Sequence, residues 1–189
     1  MHRQLVPEPI RLTYQDYCAL PDDGKRYEVL DGGLRVSPSP TTKHQRVVFL
    51  LSRLLAHHVE REKLGEILVA PLDVVLGPND VVQPDVVYVS QANASIITDD
   101  NIQGAPDLVI DVIARSNPQL DTRDQRQVYS RCGIPFYWIV DPWRQTLLEL
   151  QRVEKDYAEV TCCHAGDRLT PQLYPDLVIE VDTLWTPTR

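Results

Sequence analysis

Four aspartates sit inside otherwise apolar runs. Asp73 lies in Ala-Pro-Leu-Asp-Val-Val-Leu, Asp85 follows Gln83-Pro84 and precedes Val-Val-Tyr-Val, and Asp107 and Asp111 share Pro-Asp-Leu-Val-Ile-Asp-Val-Ile. An ionised carboxylate taken out of water without a partner costs several kcal/mol, so such acids need a cation, a donor or a metal beside them. Strand alternation sorts them: Asp107, Val109 and Asp111 share one face, and Leu108, Ile110 and Val112 the other. At a rise of roughly 3.3 Å per residue, Asp107 and Asp111 stand about 13 Å apart, too far to share an ion. Asp107 follows Pro106 at the strand's start, where capping or solvation accounts for it. Asp111 is mid-strand, and its natural partner is an acid on a neighbouring strand such as Asp85. Two carboxylates converging from adjacent strands make a hard-oxygen site suited to Mg²⁺ or Mn²⁺. Such an ion generates hydroxide, orients a phosphodiester and stabilises the charge that develops on cleavage. The competing reading of the same residues is a set of acids that are merely solvated or hydrogen-bonded.

The elements that must position these acids are legible in outline. A helix is predicted over Thr13 to Leu20, with Thr13 and Asp16 at capping spacing and Pro21 stopping the run. Tyr27 to Leu30, Asp31-Gly32-Gly33 and Leu34 to Val36 read as a hairpin. Ser37-Pro38-Ser39-Pro40 is a connector. A long helix runs from Thr42 to Lys63, with Thr42 and Gln45 at capping-box spacing and Gly65 marking its end. Val47, Val48, Leu50, Leu51, Leu54 and Leu55 form its apolar stripe, and Lys43, Arg46, Arg53 and His57 lie off it. Strand-like segments follow at Ile67 to Leu76, Val81 to Ser90, Asp107 to Ala114 and Phe136 to Asp141, with Gly77 to Asp80 as a turn. A second helix over Asp121 to Cys132, ended by Gly133, places Gln125, Val128, Tyr129 and Cys132 on its inner face. The tail adds strands at Thr146 to Glu154, near Tyr157 to Cys162, and at Leu177 to Val181. This order implies a mixed sheet flanked by helices, an α/β arrangement.

Bulk properties narrow the function classes. With 189 residues, the chain suits a single domain spanning 1–189 with a substantial core. Hydrophobic residues make up 43% and charged residues 24%, which excludes disorder over most of the length. No apolar run approaches the roughly 20 residues that span a bilayer, and the N-terminus lacks a signal-type apolar stretch. Cys18, Cys132, Cys162 and Cys163 form no C-x-x-C pair, and the histidines lack zinc spacing. Reduced thiols in a cytoplasmic protein are the expectation. A net charge of −8 argues against passive nucleic-acid binding, although a local basic face coexists readily with an acidic whole. No glycine-rich phosphate cradle is present, so a nucleotide cofactor has no support.

Taken in order, YEVLDGGLRVSPSPTTKHQRV, PLDVVL, VVQPDVVYVS, GAPDLVIDVI and DTRDQRQVYSRCGIPFYWIVDP resemble, block by block, the Uma-two-type restriction endonuclease family, a branch of the PD-(D/E)XK nucleases. The likeness covers a core of roughly residues 25 to 145 and is more specific than any single motif. It implies a restriction-endonuclease-like fold and Mg²⁺-dependent cleavage of DNA. By position, Asp85 and Asp111 correspond to the two metal ligands, with Asp at 111 where relatives usually carry Glu. Glu28 corresponds to an acid that contacts the metal through water; its alternative is a hairpin surface acid. Asp73 and His44 are secondary candidates, the alternative for His44 being a surface histidine. The family's lysine, four residues before a tyrosine on the following helix, is replaced by Gln125, with Tyr129 as that tyrosine. A neutral Gln can hydrogen-bond the attacking water but supplies no charge. Tyr129 either packs beneath the site or fills core. Lys43, Arg46 and Arg53 could touch phosphates, against the default of a solvated helix face. A nuclease that cuts both strands of a duplex needs two sites, so a homodimer is the expected assembly. The rival function is a catalytically weakened nuclease fold that binds nucleic acid or a protein.

Overall fold

The computed structural model describes residues 10–114 and 118–185; residues 1–9, read above for a signal segment, lie outside this range. The chain opens with α1 (Tyr14–Cys18), closed at its N-terminus by the reciprocal Thr13–Asp16 capping box. The hairpin of β1 (Arg26–Leu30) and β2 (Gly33–Ser37) turns through Asp31 and Gly32, both at positive φ. Next come α2 (Thr42–Glu62), β3 (Gly65–Val69), β4 (Val74–Gly77), β5 (Asp80–Val82) and β6 (Val86–Ser90). After a 3₁₀ turn at Gln91–Ile96 the chain forms β7 (Ile102–Gln103), β8 (Leu108–Val112), α3 (Pro118–Cys132) and β9 (Phe136–Asp141). It finishes with β10 (Thr146–Val153), β11 (Asp156–Cys163), β12 (Arg168–Leu169) and β13 (Ile179–Glu180).

Two mixed sheets carry the architecture. One runs β2-β1-β5-β4-β7, the other β11-β10-β9-β8-β6-β3, and β12 and β13 form a separate pair. The larger sheet is apolar on both faces, and the alternation expected for the Asp107–Ala114 segment is what separates them. Leu108, Ile110 and Val112 join Val86, Tyr88, Trp138 and Val140 in a core against Val47, Leu51 and Leu55 of α2. Val109 joins Val87, Val89 and Tyr137 in a second core with Val128 and Tyr129 of α3 and with Val74 and Val82 of the smaller sheet. Asp111 therefore points toward α3 and the smaller sheet, away from α2.

Three local expectations are corrected. The cap of α2 is Thr41, whose hydroxyl accepts from the His44 N–H, so the helix begins one residue earlier than the Thr42–Gln45 spacing suggested. The helix ends on Lys63 in the left-handed region, not at a glycine; Gly65 belongs to β3. There the Val89 carbonyl lies 2.1 Å from where a Cβ would sit, which only glycine tolerates. The single strands expected over 67–76 and 81–90 are each broken in two, at Ala70–Asp73 and at Gln83–Asp85. Each break carries the chain from one sheet to the other. Pro71 and Pro84 lack the N–H that a continuous ladder requires. Among the described residues, no helix is long and apolar enough to cross a membrane.

Candidate active site

The break at Gln83–Asp85 brings an acid to the junction of the two sheets. Asp85 precedes β6, which pairs antiparallel with β8, and its Oδ2 accepts the Val112 N–H at 2.8 Å. That bond sets the Asp85 carboxylate beside the end of β8, where Asp111 projects. From the smaller sheet, β1 contributes Glu28, whose Oε1 accepts the Gln83 N–H at 2.9 Å. From α2 comes His44, with Nε2 3.2 Å from Asp85 Oδ2, and from α3 comes Gln125. Glu28, His44, Asp85, Asp111 and Gln125 all line one cavity of about 330 Å³, roofed by the Ser37–Thr41 connector.

Burial decides two questions the sequence left open. Glu28 is 1% exposed and His44 7%, so neither is a surface residue. Tyr129 is fully buried and its hydroxyl donates to Asp111 Oδ2 at 3.2 Å, so it packs beneath the acid and fills core at once.

The other sequence candidates stand elsewhere. Asp73 accepts from the Tyr17 hydroxyl at 2.6 Å and from Gln83 Nε2 at 2.8 Å; it does not line the cavity. Lys43 lies 4.3 Å over the Trp143 ring and Arg53 5.8 Å over the Phe49 ring. Arg46 is exposed on α2, and none of these three cations lines the cavity. Asp107 accepts from the Ser90 N–H at 2.7 Å and from Asn93 at 3.3 Å, which fulfils its capping reading.

Sequence reasoning missed Arg26. Its Nη1 lies 3.1 Å from Asp85 Oδ1 and its Nη2 3.7 Å from Glu28 Oε1, while Nη2 also donates to the Gln83 carbonyl. The signal was available: Arg26 is two residues before Glu28 on β1 and so shares its face. Lys25-Arg26 at a strand's edge reads as a solvated pair, which hid it.

The three acids are not equivalent. Burial pushes the Asp111 carboxyl up to about 7 from an ordinary 3.8, helped by the nearby charges of Asp85 and Glu28 and opposed by Arg26. Burial also raises Glu28, although Arg26 and the Gln83 N–H pull it back. For Asp85 burial pushes upward too, but the His44 hydrogen bond, the Arg26 charge and the Val112 N–H outweigh it and hold the carboxyl below its ordinary value. One acid is thus firmly ionised, and another is poised near neutrality.

Among the described residues, no three His, Cys, Asp or Glu side chains form a ready-made ion cage. Magnesium does not require one, since it is usually bound by one or two carboxylates and keeps several waters. Asp111 Oδ1 is buried without a well-formed hydrogen bond, with the Tyr137 hydroxyl beside the same carboxyl. Asp85 Oδ1 carries the Arg26 contact, and a carboxylate oxygen has a second lone pair to offer. The donor set, hard oxygens with surplus negative charge, fits a divalent ion held by Asp85 and Asp111.

With this geometry in view, three comparisons with known proteins bear on the chain. The model of the Uma2 family, described as "Putative restriction endonuclease", matches residues 14–182. The chain also superposes on the crystal structure of a protein from Anabaena variabilis ATCC 29413, described as a putative nuclease belonging to DUF820. The TM-score is 0.76 at 16% identity, covering 92% of this chain and 97% of that one. At that identity the likeness establishes the fold, which is restriction-endonuclease-like. No curated protein matches the sequence.

Proposed function

This chain belongs to the Uma2 family, and from that and the cavity we propose that it is a divalent-metal-dependent endonuclease that hydrolyses DNA phosphodiester bonds. The observation that carries the reading is the convergence of Glu28, Asp85, Asp111 and Gln125, from three elements and the break before β6, on one cavity. Four polar residues brought together from both sheets and a helix are a costly arrangement for a core, and chemistry at that point accounts for it.

Asp85 and Asp111 would hold Mg²⁺ or Mn²⁺, which would acidify a bound water and neutralise charge on the phosphate. Glu28 would accept a hydrogen bond from water in that sphere. Gln125 would orient the attacking water through its amide, without charge. Tyr129 fixes the Asp111 carboxyl from below through its hydroxyl. In the reaction, the water oxygen bonds to phosphorus as the bond from phosphorus to the leaving sugar oxygen breaks. The water's proton passes to a base, and the leaving oxygen takes a proton from solvent. Double-strand cleavage would need two such sites, as a homodimer provides.

A second reading, a binding module without turnover, is favoured by the neutral Gln125 and by the commitment of Asp85 to Val112, His44 and Arg26. The test is cleavage of supercoiled and linear DNA in Mg²⁺ or Mn²⁺, wild type beside Asp85→Ala and Asp111→Ala. Metal-dependent nicking lost in both variants establishes the enzyme. Wild type that never cuts, or variants that cut equally well, would move the assignment to the binding module.

A further inference from the structure

Phosphodiester hydrolysis gathers negative charge on the phosphoryl oxygens, and a fixed cation facing them lowers the barrier. Among the described residues, the cavity is lined by three acids and a neutral amide, with Arg26, Arg35 and His44 as its basic residues. His44 points its Nε2 at Asp85, and Arg35 reaches Asp124 at 2.7 Å. Arg26 is placed differently. Its guanidinium stands beside both Asp85 and Glu28, yet 27% of the side chain remains exposed, and it lines the cavity. Its Nε is buried without a hydrogen-bond partner, and Nη1 and Nη2, with two N–H each, make one hydrogen bond apiece, so donors remain on the outer fork.

We propose that Arg26 is a catalytic residue of this site, the cation that faces the phosphoryl oxygens of the scissile phosphate, and that it shares its carboxylates with the metal. The inference rests on the nuclease reading above. A guanidinium presents a planar fork suited to paired phosphate oxygens, and it cannot act as a proton donor that is consumed. Burial works against its charge, but Glu28, Asp85 and Asp111 outweigh burial and keep it protonated. Arg26 therefore donates N–H bonds to a non-bridging oxygen while water adds to phosphorus and the leaving oxygen departs, and it exchanges no proton. A divalent ion and a guanidinium attract the same carboxylate oxygens and repel each other. Removing the Arg26 charge should accordingly tighten ion binding while slowing turnover.

The experiment uses the full chain as wild type, Arg26→Gln and Arg26→Lys, with two readouts. One is single-turnover cleavage of plasmid DNA in saturating Mn²⁺; the other is Mn²⁺ affinity without DNA, by titration calorimetry. Arg26→Gln is expected to cut about 100-fold more slowly, the scale seen when one transition-state donor is removed. It is expected to bind Mn²⁺ about tenfold more tightly, because a like charge within a few ångströms is gone. Millimolar guanidinium should restore part of its rate, which a purely structural role would not produce. Arg26→Gln that cuts at the wild-type rate, or that loses Mn²⁺ affinity and gains nothing from guanidinium, overturns the role. Should Arg26→Gln fail to fold, Arg26→Lys decides: slowed cleavage at unchanged Mn²⁺ affinity supports the role, and the wild-type rate overturns it. Wild type that binds Mn²⁺ without ever cutting overturns the nuclease reading itself, and this role with it.

Discussion

Replacing Asp111 by Asn isolates the electrostatic cost of the candidate site. The Asp111 carboxyl is displaced from an ordinary 3.8 to about 7, first by burial and then by the charges of Asp85 and Glu28. Each unit of displacement corresponds to about 1.4 kcal/mol, so the ionised side chain destabilises the fold by up to about 4 kcal/mol. The folded-state value lies above the unfolded one, which fixes the direction. The cost is absent below about pH 4, where both states are protonated, grows as pH rises, and is complete above about 7. Asn keeps the shape, and its amide oxygen can still accept from the Tyr129 hydroxyl. Urea unfolding from pH 4 to pH 8 should therefore find the two proteins close in acid and Asp111→Asn more stable by several kcal/mol at pH 8. Adding Mn²⁺ at pH 8 should narrow the gap by stabilising wild type alone; at 100 times the dissociation constant the gain is about 2.7 kcal/mol. An Asp111→Asn protein less stable than wild type at pH 8, or a difference independent of pH, would refute the reasoning.

Two further outcomes are expected. Gln125→Lys should raise the cleavage rate about tenfold or more, since a charge would then face the reacting water from a helix position lining the acidic cavity; an unchanged rate in the plasmid assay would place Gln125 away from the chemistry. Thr41→Ala should cost about 1 kcal/mol, or roughly 2–4 °C in melting temperature, while Thr42→Ala should be near neutral; thermal melts with the reverse order would return the cap to Thr42.

The sequence carried much of this site because two simple periodicities were obeyed. Alternation along β8 put Asp111 and Val109 on one face and Ile110 and Val112 on the other, as the two cores show. The 3.6-residue period of α3 put Gln125, Val128 and Tyr129 together on its inward side, all buried. What failed were features set by tertiary contacts. Thr41 and Thr42 are chemically identical caps, and only the packing of α2 selects between them. The strand breaks near residues 71 and 84 were marked by prolines, yet the neighbouring valines favour strand on both sides of each. The burial of Glu28 and His44 follows from the smaller sheet closing over the cavity, which no local pattern records. Arg26 was hidden for the same reason, since a charged pair at a strand end looks solvated until the acids across from it are known.

These breaks also explain why the acids meet at this place. Had residues 81–90 formed one strand, Asp85 would sit within a ladder, its carboxylate fixed to one face of one sheet. Because the chain leaves the smaller sheet after Val82 and enters the larger at Val86, Asp85 is held at the crossing. Its carboxylate takes the Val112 N–H at the end of β8, so a side chain completes what a backbone carbonyl would otherwise do. The same bond couples the crossing to the strand that carries Asp111. Glu28 is tied to that crossing through the Gln83 N–H, and Arg26 through the Gln83 carbonyl. Gln83 and Asp85 thus gather charged residues from both sheets around one short irregular segment. Irregular backbone must satisfy its polar groups with side chains, and here the side chains recruited are the ones the proposed chemistry would use.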